Sequence, residues 1–229
     1  MKSTSADARG KPWTHALSLR IRTLWMAKAF GTTVGITGFF ILYFWVMRSS
    51  GGNAVVVPAT RIDDWFGVSE LALVPYASLW LYVSLGPALA ASMASLRLYI
   101  AGSLAISVVG LVTFWVFPTA TPVSSVAWSE YPALQFLKAA DARGNAFPSL
   151  HVAFAAFTAG VIARELRDLG APAWVRTGNW LWCAAIVYST LATRQHVLID
   201  VAGGLLLAWA AWVICAMPVV RRVFRASER

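Results

Sequence analysis

Two of the three histidines in this 229-residue chain stand at the heads of apolar runs, in "NAFPSLH" (Asn145 to His151) and "RQHVLID" (Arg194 to Asp200). Ionisable groups inside hydrocarbon cost roughly 2.5–3.5 kcal/mol on insertion scales, so where they occur they usually serve a function. His196 and Asp200 are four residues apart and stack on one face of a helix. An aspartate there can accept the Nδ1–H of His196, fixing the tautomer that leaves Nε2 free as nucleophile or base. Pro148 suits the first turn of a helix, whose N–H groups would face outward as an anion site. Ser149 adds a hydroxyl donor, and Arg194 and Arg143 add cationic ones. The pattern reads as a phosphate bed with a histidine on either side. One neutral histidine attacks phosphorus while the other, protonated, donates to the leaving oxygen. The same residues also admit a buried structural His–Asp pair, or a three-ligand metal site of two histidines and an aspartate. The second histidine behind Pro-Ser weighs against the first, and the lack of a further ligand candidate beside either motif weighs against the second. Neither a metal nor a cofactor is therefore expected. His15 lies in a basic tail and reads as solvated.

These residues need a membrane scaffold. The chain is 59% hydrophobic and 13% charged, against about 45–50% and 25% for a soluble domain. Apolar runs at 25–47, 71–91, 98–117, 147–165, 178–193 and 197–217 predict six spans, each near the 20 residues that cross about 30 Å of hydrocarbon. The run at 25–47 is longer than the h-region of a signal peptide and reads as a retained first span. Segment 58–70, "PATRIDDWFGVSE", is too polar to span and suits a short surface element, with Asp63 and Asp64 in a solvated turn. The 1–24 tail, Lys28, Arg97, the 164–176 loop and the C-terminal tail hold fourteen Lys/Arg; the other side holds five. That positive-inside split predicts cytoplasmic termini and puts both histidine motifs at the outer face. The net charge of +9 thus reflects orientation rather than nucleic-acid binding. Trp25, Trp45, Trp115 and Trp180 near span ends fit an aromatic belt. Gly203, Gly204 and Ala208, and Ala156 with Gly160, give small-residue faces for helix packing. Cys183 and Cys215 imply no disulfide framework. The expected architecture is an all-α, polytopic membrane protein with six transmembrane helices. It comprises a basic tail (1–24), one membrane domain (25–217) and a second basic tail (218–229).

"FPSLH" followed by "H-x3-D" at the start of the last span resembles the type 2 phosphatidic acid phosphatase superfamily. The Ser-Leu-His variant is most similar to the branch of inositol phosphorylceramide synthases and related phospholipid headgroup transferases. The resemblance covers about 60–217, including "RIDDWFG" and "FPTATP" (Phe117 to Pro122). It implies metal-independent transfer through a phosphohistidine, with His196 as nucleophile, Asp200 orienting it and His151 as acid to the leaving group. The chain departs from the superfamily's pattern in its phosphate-binding residues. No K-x6-R-P occurs, and the arginine expected six residues before the nucleophile is Thr190, with Arg194 as its nearest substitute. The reading is an inner-membrane, multi-pass enzyme hydrolysing a lipid phosphate or polyprenyl pyrophosphate at the outer, periplasmic face. Its expected partners are the lipid phosphate substrate and membrane lipids. Headgroup transfer is the alternative outcome. A transporter using His196 and Asp200 as a proton relay would need polar residues continuing through the bundle, and the runs below the motifs are almost wholly apolar.

Overall fold

The computed structural model describes residues 13–50, 54–124, 126–140 and 144–217. They form an α-helical bundle whose long elements are α2 (Trp25–Ser50), α5 (Met93–Val116), α7 (Leu150–Asp168), α8 (Ala173–Ala192) and α9 (Leu198–Ala216). Shorter ones are α1 (Trp13–Arg22), α3 (Leu73–Ala77), α4 (Leu79–Ala88) and α6 (Pro132–Ala140), with α3 and α4 separated only at Ser78. Four stretches, Trp25–Ser49, Glu70–Ala88, Met93–Val116 and Leu198–Ala216, are long and apolar enough to cross a membrane. Large apolar side chains on them face outward, among them Phe30, Ile41, Leu81, Leu104 and Leu206. That surface points to a protein solvated by lipid.

The apolar runs at 147–165 and 178–193 become α7 and α8, of 19 and 20 residues, or about 29 and 30 Å at 1.5 Å per residue. Neither is among the four stretches above: α7 carries His151, Arg164, Glu165, Arg167 and Asp168, and α8 carries Arg176 and Asn179. For α7 the reason is its place: it packs against α4, α5, α8 and α9. Val152, Ala153, Ala155 and Ala159 are wholly buried. A helix enclosed by other helices meets its neighbours rather than lipid and can hold paired polar groups. The hydroxyls of Thr158 and Tyr99 lie 2.9 Å apart, and Tyr99 Oη also lies 2.8 Å from the Val83 carbonyl. Asn179 donates to the Ala159 carbonyl at 3.1 Å and accepts from Tyr82 Oη at 2.7 Å. Thr158 is thus a polar member of a run that reads as apolar.

At one end of the bundle Glu165, nearly buried, is met by Arg20 at 2.5 Å and Arg164 at 3.2 Å. Lys28 donates to the Arg20 and Ala88 carbonyls at 2.6 and 3.0 Å, the latter closing the C-terminus of α4. Here α7 ends in a Schellman turn: Gly170 takes φ 69° while Ala171 N–H reaches the Leu166 carbonyl. At the opposite end β1 (Val55–Val56) pairs in parallel with β2 (Thr119–Ala120).

Candidate active site

The β1–β2 end is where the two histidine motifs meet. Thr119 arranges the approach to α7. Its carbonyl accepts from Gly144 and Ala146 N–H at 3.1 and 3.0 Å, and its hydroxyl from Phe147 N–H at 2.8 Å. Ser149 then caps α7, its hydroxyl accepting from Val152 N–H at 3.3 Å. Its own N–H donates to the Asp200 carbonyl at 3.0 Å, which ties the start of α7 directly to the first turn of α9. The approach is close because residue 204 is glycine: a Cβ there would stand 2.5 Å from the Ser149 carbonyl oxygen. Gly203 likewise leaves room for the Phe147 ring.

With the two helix starts locked, the rings of His151 and His196 come within 6.4 Å, centroid to centroid. One phosphoryl group between them can touch both. Tyr76 stacks on His151 at 4.3 Å with the planes 16° apart. This fixes the orientation of the imidazole. His196 Nδ1 lies 3.4 Å from Asp200 Oδ2, which is long and does not meet hydrogen-bond geometry. Asp200 is fully buried; its Oδ2 accepts from Val197 N–H at 3.0 Å, and Oδ1 has no hydrogen-bond partner among the described residues. Catalytic hydrogen bonds are often long without substrate and tighten in the complex. A carboxylate with one oxygen unused, behind a histidine with Nδ1 unused, is arranged for that movement.

Both histidines line a cavity of about 130 Å³, shared with Tyr43, Tyr76, Phe114, Asn145 and Gln195. Asn145 donates from Nδ2 to the Tyr43 hydroxyl. Of the first-turn N–H groups of α7, Val152 and Ala153 are bonded back to Ser149. Those of Leu150 and His151, at the cavity wall, are the ones the helix itself leaves unsatisfied. Neither Arg194 nor Ser149 is among the described lining residues. Arg194 takes φ 55° in the turn between α8 and α9, a rare conformation for a residue with a Cβ. Its guanidinium donates to the Asp63 carbonyl at 3.1 Å and the Phe66 carbonyl at 2.8 Å. Arg143 falls outside the described residues. Thr190, six residues before His196, is buried and donates its hydroxyl to the Val187 carbonyl at 2.8 Å.

The solvated turn expected at Asp63 and Asp64 holds for Asp64 alone. Asp63 is 4% exposed. Its Oδ1 accepts from Leu198 N–H, the first residue of α9, at 2.7 Å. Its Oδ2 accepts from Thr60 N–H and Oγ1 at 2.7 and 2.8 Å. A carboxylate at a helix N-terminus is favoured by the exposed donors and the dipole. The 60–66 segment therefore grips the loop that carries His196 from outside while Asp200 holds it from within. Nothing in the local sequence signals this, since the partners are 135 residues apart. Among the described residues no three metal-ligating side chains converge.

Residues 112–223 match the model of the PAP2 superfamily, whose members are phosphoesterases and phosphotransferases. The matched stretch contains His151, His196 and Asp200 but not Asp63. No curated protein and no solved structure matches the chain.

Proposed function

We propose that this chain is a six-span membrane enzyme that cleaves or transfers a phosphoryl group on a lipid through a phosphohistidine. The observation carrying the proposal is the pair of histidines, 6.4 Å apart on one small cavity, with the buried Asp200 behind one and Tyr76 stacked on the other. The PAP2 match over that region supports the same reaction class. In this reading His196 Nε2 attacks phosphorus, the bond from phosphorus to the leaving oxygen breaks, and His151 gives that oxygen its proton. Asp200 accepts the Nδ1–H as positive charge develops on His196. Water then attacks the phosphohistidine, passing its proton to His151 and freeing Nε2. The N–H groups of Leu150 and His151 face the phosphoryl oxygens as the anion-binding end of α7. The phosphate role expected of Ser149 and Arg194 is indirect: one caps α7, the other holds the 194–198 loop.

The first-choice reaction is hydrolysis of a lipid phosphate or polyprenyl pyrophosphate at the outer face of the inner membrane. Headgroup transfer is the second, favoured by the neutral hydrogen-bonding groups around the cavity, the Asn145 amide and Tyr43 phenol, which suit an acceptor hydroxyl. Purified protein should release inorganic phosphate from one member of a lipid phosphate panel without a metal requirement. Water-resolved turnover gives free phosphate whether or not an acceptor is added; transfer needs a hydroxylated acceptor. No turnover with any lipid phosphate, or turnover lost on chelation and restored by zinc, contradicts the proposal.

A further inference from the structure

One polar group in this cavity has no partner and no assigned task. Gln195 lines it beside His151 and His196 and is 7% exposed, and its Nε2 makes no hydrogen bond among the described residues. A buried amide left without partners is costly and rare, and in a ligand cavity it marks the place of a missing acceptor. The backbone explains how it comes to stand at the cavity. The α8–α9 turn reverses at Arg194, whose side chain leaves for the Asp63 and Phe66 carbonyls. The N–H groups of Gln195 and His196 both return to the Thr190 carbonyl at 3.1 Å, setting these two residues side by side at the wall. No lysine or arginine appears among the described lining residues.

We infer that Gln195 is a phosphate-binding residue, donating from Nε2 to a non-bridging oxygen of the group attacked by His196. With the Leu150 and His151 N–H groups it forms a cradle of neutral dipoles on a side where a guanidinium would be expected. The inference rests on the phosphoryl-transfer reading of this cavity. It selects a single phosphoryl or phosphodiester centre as the bound group. A neutral amide gives two donors without a full charge, and neutral donors bind an oxyanion by geometry more than by field.

Binding of orthovanadate to the purified full chain, followed as a shift in thermal midpoint, tests this without requiring turnover. Wild type should be stabilised. Gln195→Leu should need about tenfold to a hundredfold more vanadate for the same shift, the range a hydrogen bond to a charged group spans. Gln195→Glu, nearly isosteric, guards against a packing effect of the leucine. It should keep its vanadate-free midpoint and lose the vanadate response, because a carboxylate repels the oxyanion. Asp64→Asn, on the exposed neighbour of Asp63, should behave as wild type. Unchanged vanadate dependence in Gln195→Leu and Gln195→Glu beside a responsive wild type would overturn the role of Gln195 and leave the phosphoryl-transfer reading standing. A wild type that vanadate does not stabilise would overturn both.

Discussion

At the residue scale the roles of His151, His196 and Asp200 are separable by chemistry. His196→Gln should abolish turnover, since no nucleophile remains. Asp200→Asn should keep a trace; the comparable loss in a serine-protease triad is about 10⁴-fold. His151→Gln removes a general acid, worth typically 10²–10⁴-fold, and matters less when the leaving group is already good. An activated aryl phosphate should therefore restore the His151 variant and not the His196 variant; the reverse would exchange their roles. Asp63 makes a different case, because it holds the loop without lining the cavity. Asp63→Asn should lower kcat by about ten- to a hundredfold with KM nearly constant, as loss of a hydrogen bond to a charged group would misplace His196. Asp64→Asn should do neither, and a KM effect alone would contradict the positioning role. The histidines and Asp200 were legible in the sequence because their spacing is local and ionisable residues stand out in apolar runs. Asp63 and Gln195 were not. The partner of Asp63 is distant in the chain, and the place of Gln195 at the cavity follows from the turn at Arg194, whose φ is positive.

At the element scale the site depends on how closely α9 approaches α7. Gly204→Ala places a methyl against a backbone carbonyl that has no rotamer to change. It should cost about 1–3 kcal/mol of stability, as overpacking does, and should lower activity further by separating the two histidines. Gly178→Ala on α8, where a Cβ meets nothing within 4 Å, is the control and should leave both unchanged or raise the midpoint slightly. Equal behaviour of the two variants, measured by thermal midpoint and phosphate release, would remove the close approach from the account. The sequence pattern anticipated small-residue packing on this face, but not that the contact is to the cap of α7. The polar content of α7 follows from its position too. Thr158 and Glu165 lie on a helix that other helices enclose, so a hydropathy window alone undervalues a segment that meets little lipid.

At the scale of the whole molecule, aromatic side chains stand exposed toward both ends of the bundle. Trp25 and Trp174 mark one end and Trp45, Trp115 and Phe117 the other, as interfacial belts would. The histidine cavity lies at the second of these ends, which the proposed topology puts at the outer face. A cysteine placed at Val123, which is 91% exposed, in a protein with Cys183 and Cys215 replaced, should react with an impermeant thiol reagent on intact cells. One at Asp168, at the end of α7 remote from the cavity, should not. Labelling at 168 alone would invert the topology and bring the chemistry to the cytoplasm. Four of the six expected spans were legible, as helices long and apolar enough to cross, because a bilayer demands length and hydropathy together. The enclosure of α7 was not, since it depends on which helices neighbour it.

The central claim, a covalent phosphohistidine at His196, is tested most directly by a single-turnover trap. Purified protein mixed with ³²P-labelled lipid phosphate and quenched in alkali should retain label on the chain. That label should be lost in acid, as a phosphorus–nitrogen bond requires, and peptide mapping should place it on His196. It should be absent from His196→Gln and should accumulate in any variant that slows attack by water. Label on a serine, or undiminished label in His196→Gln, would contradict the account, as would turnover in wild type with no trapped intermediate under any quench.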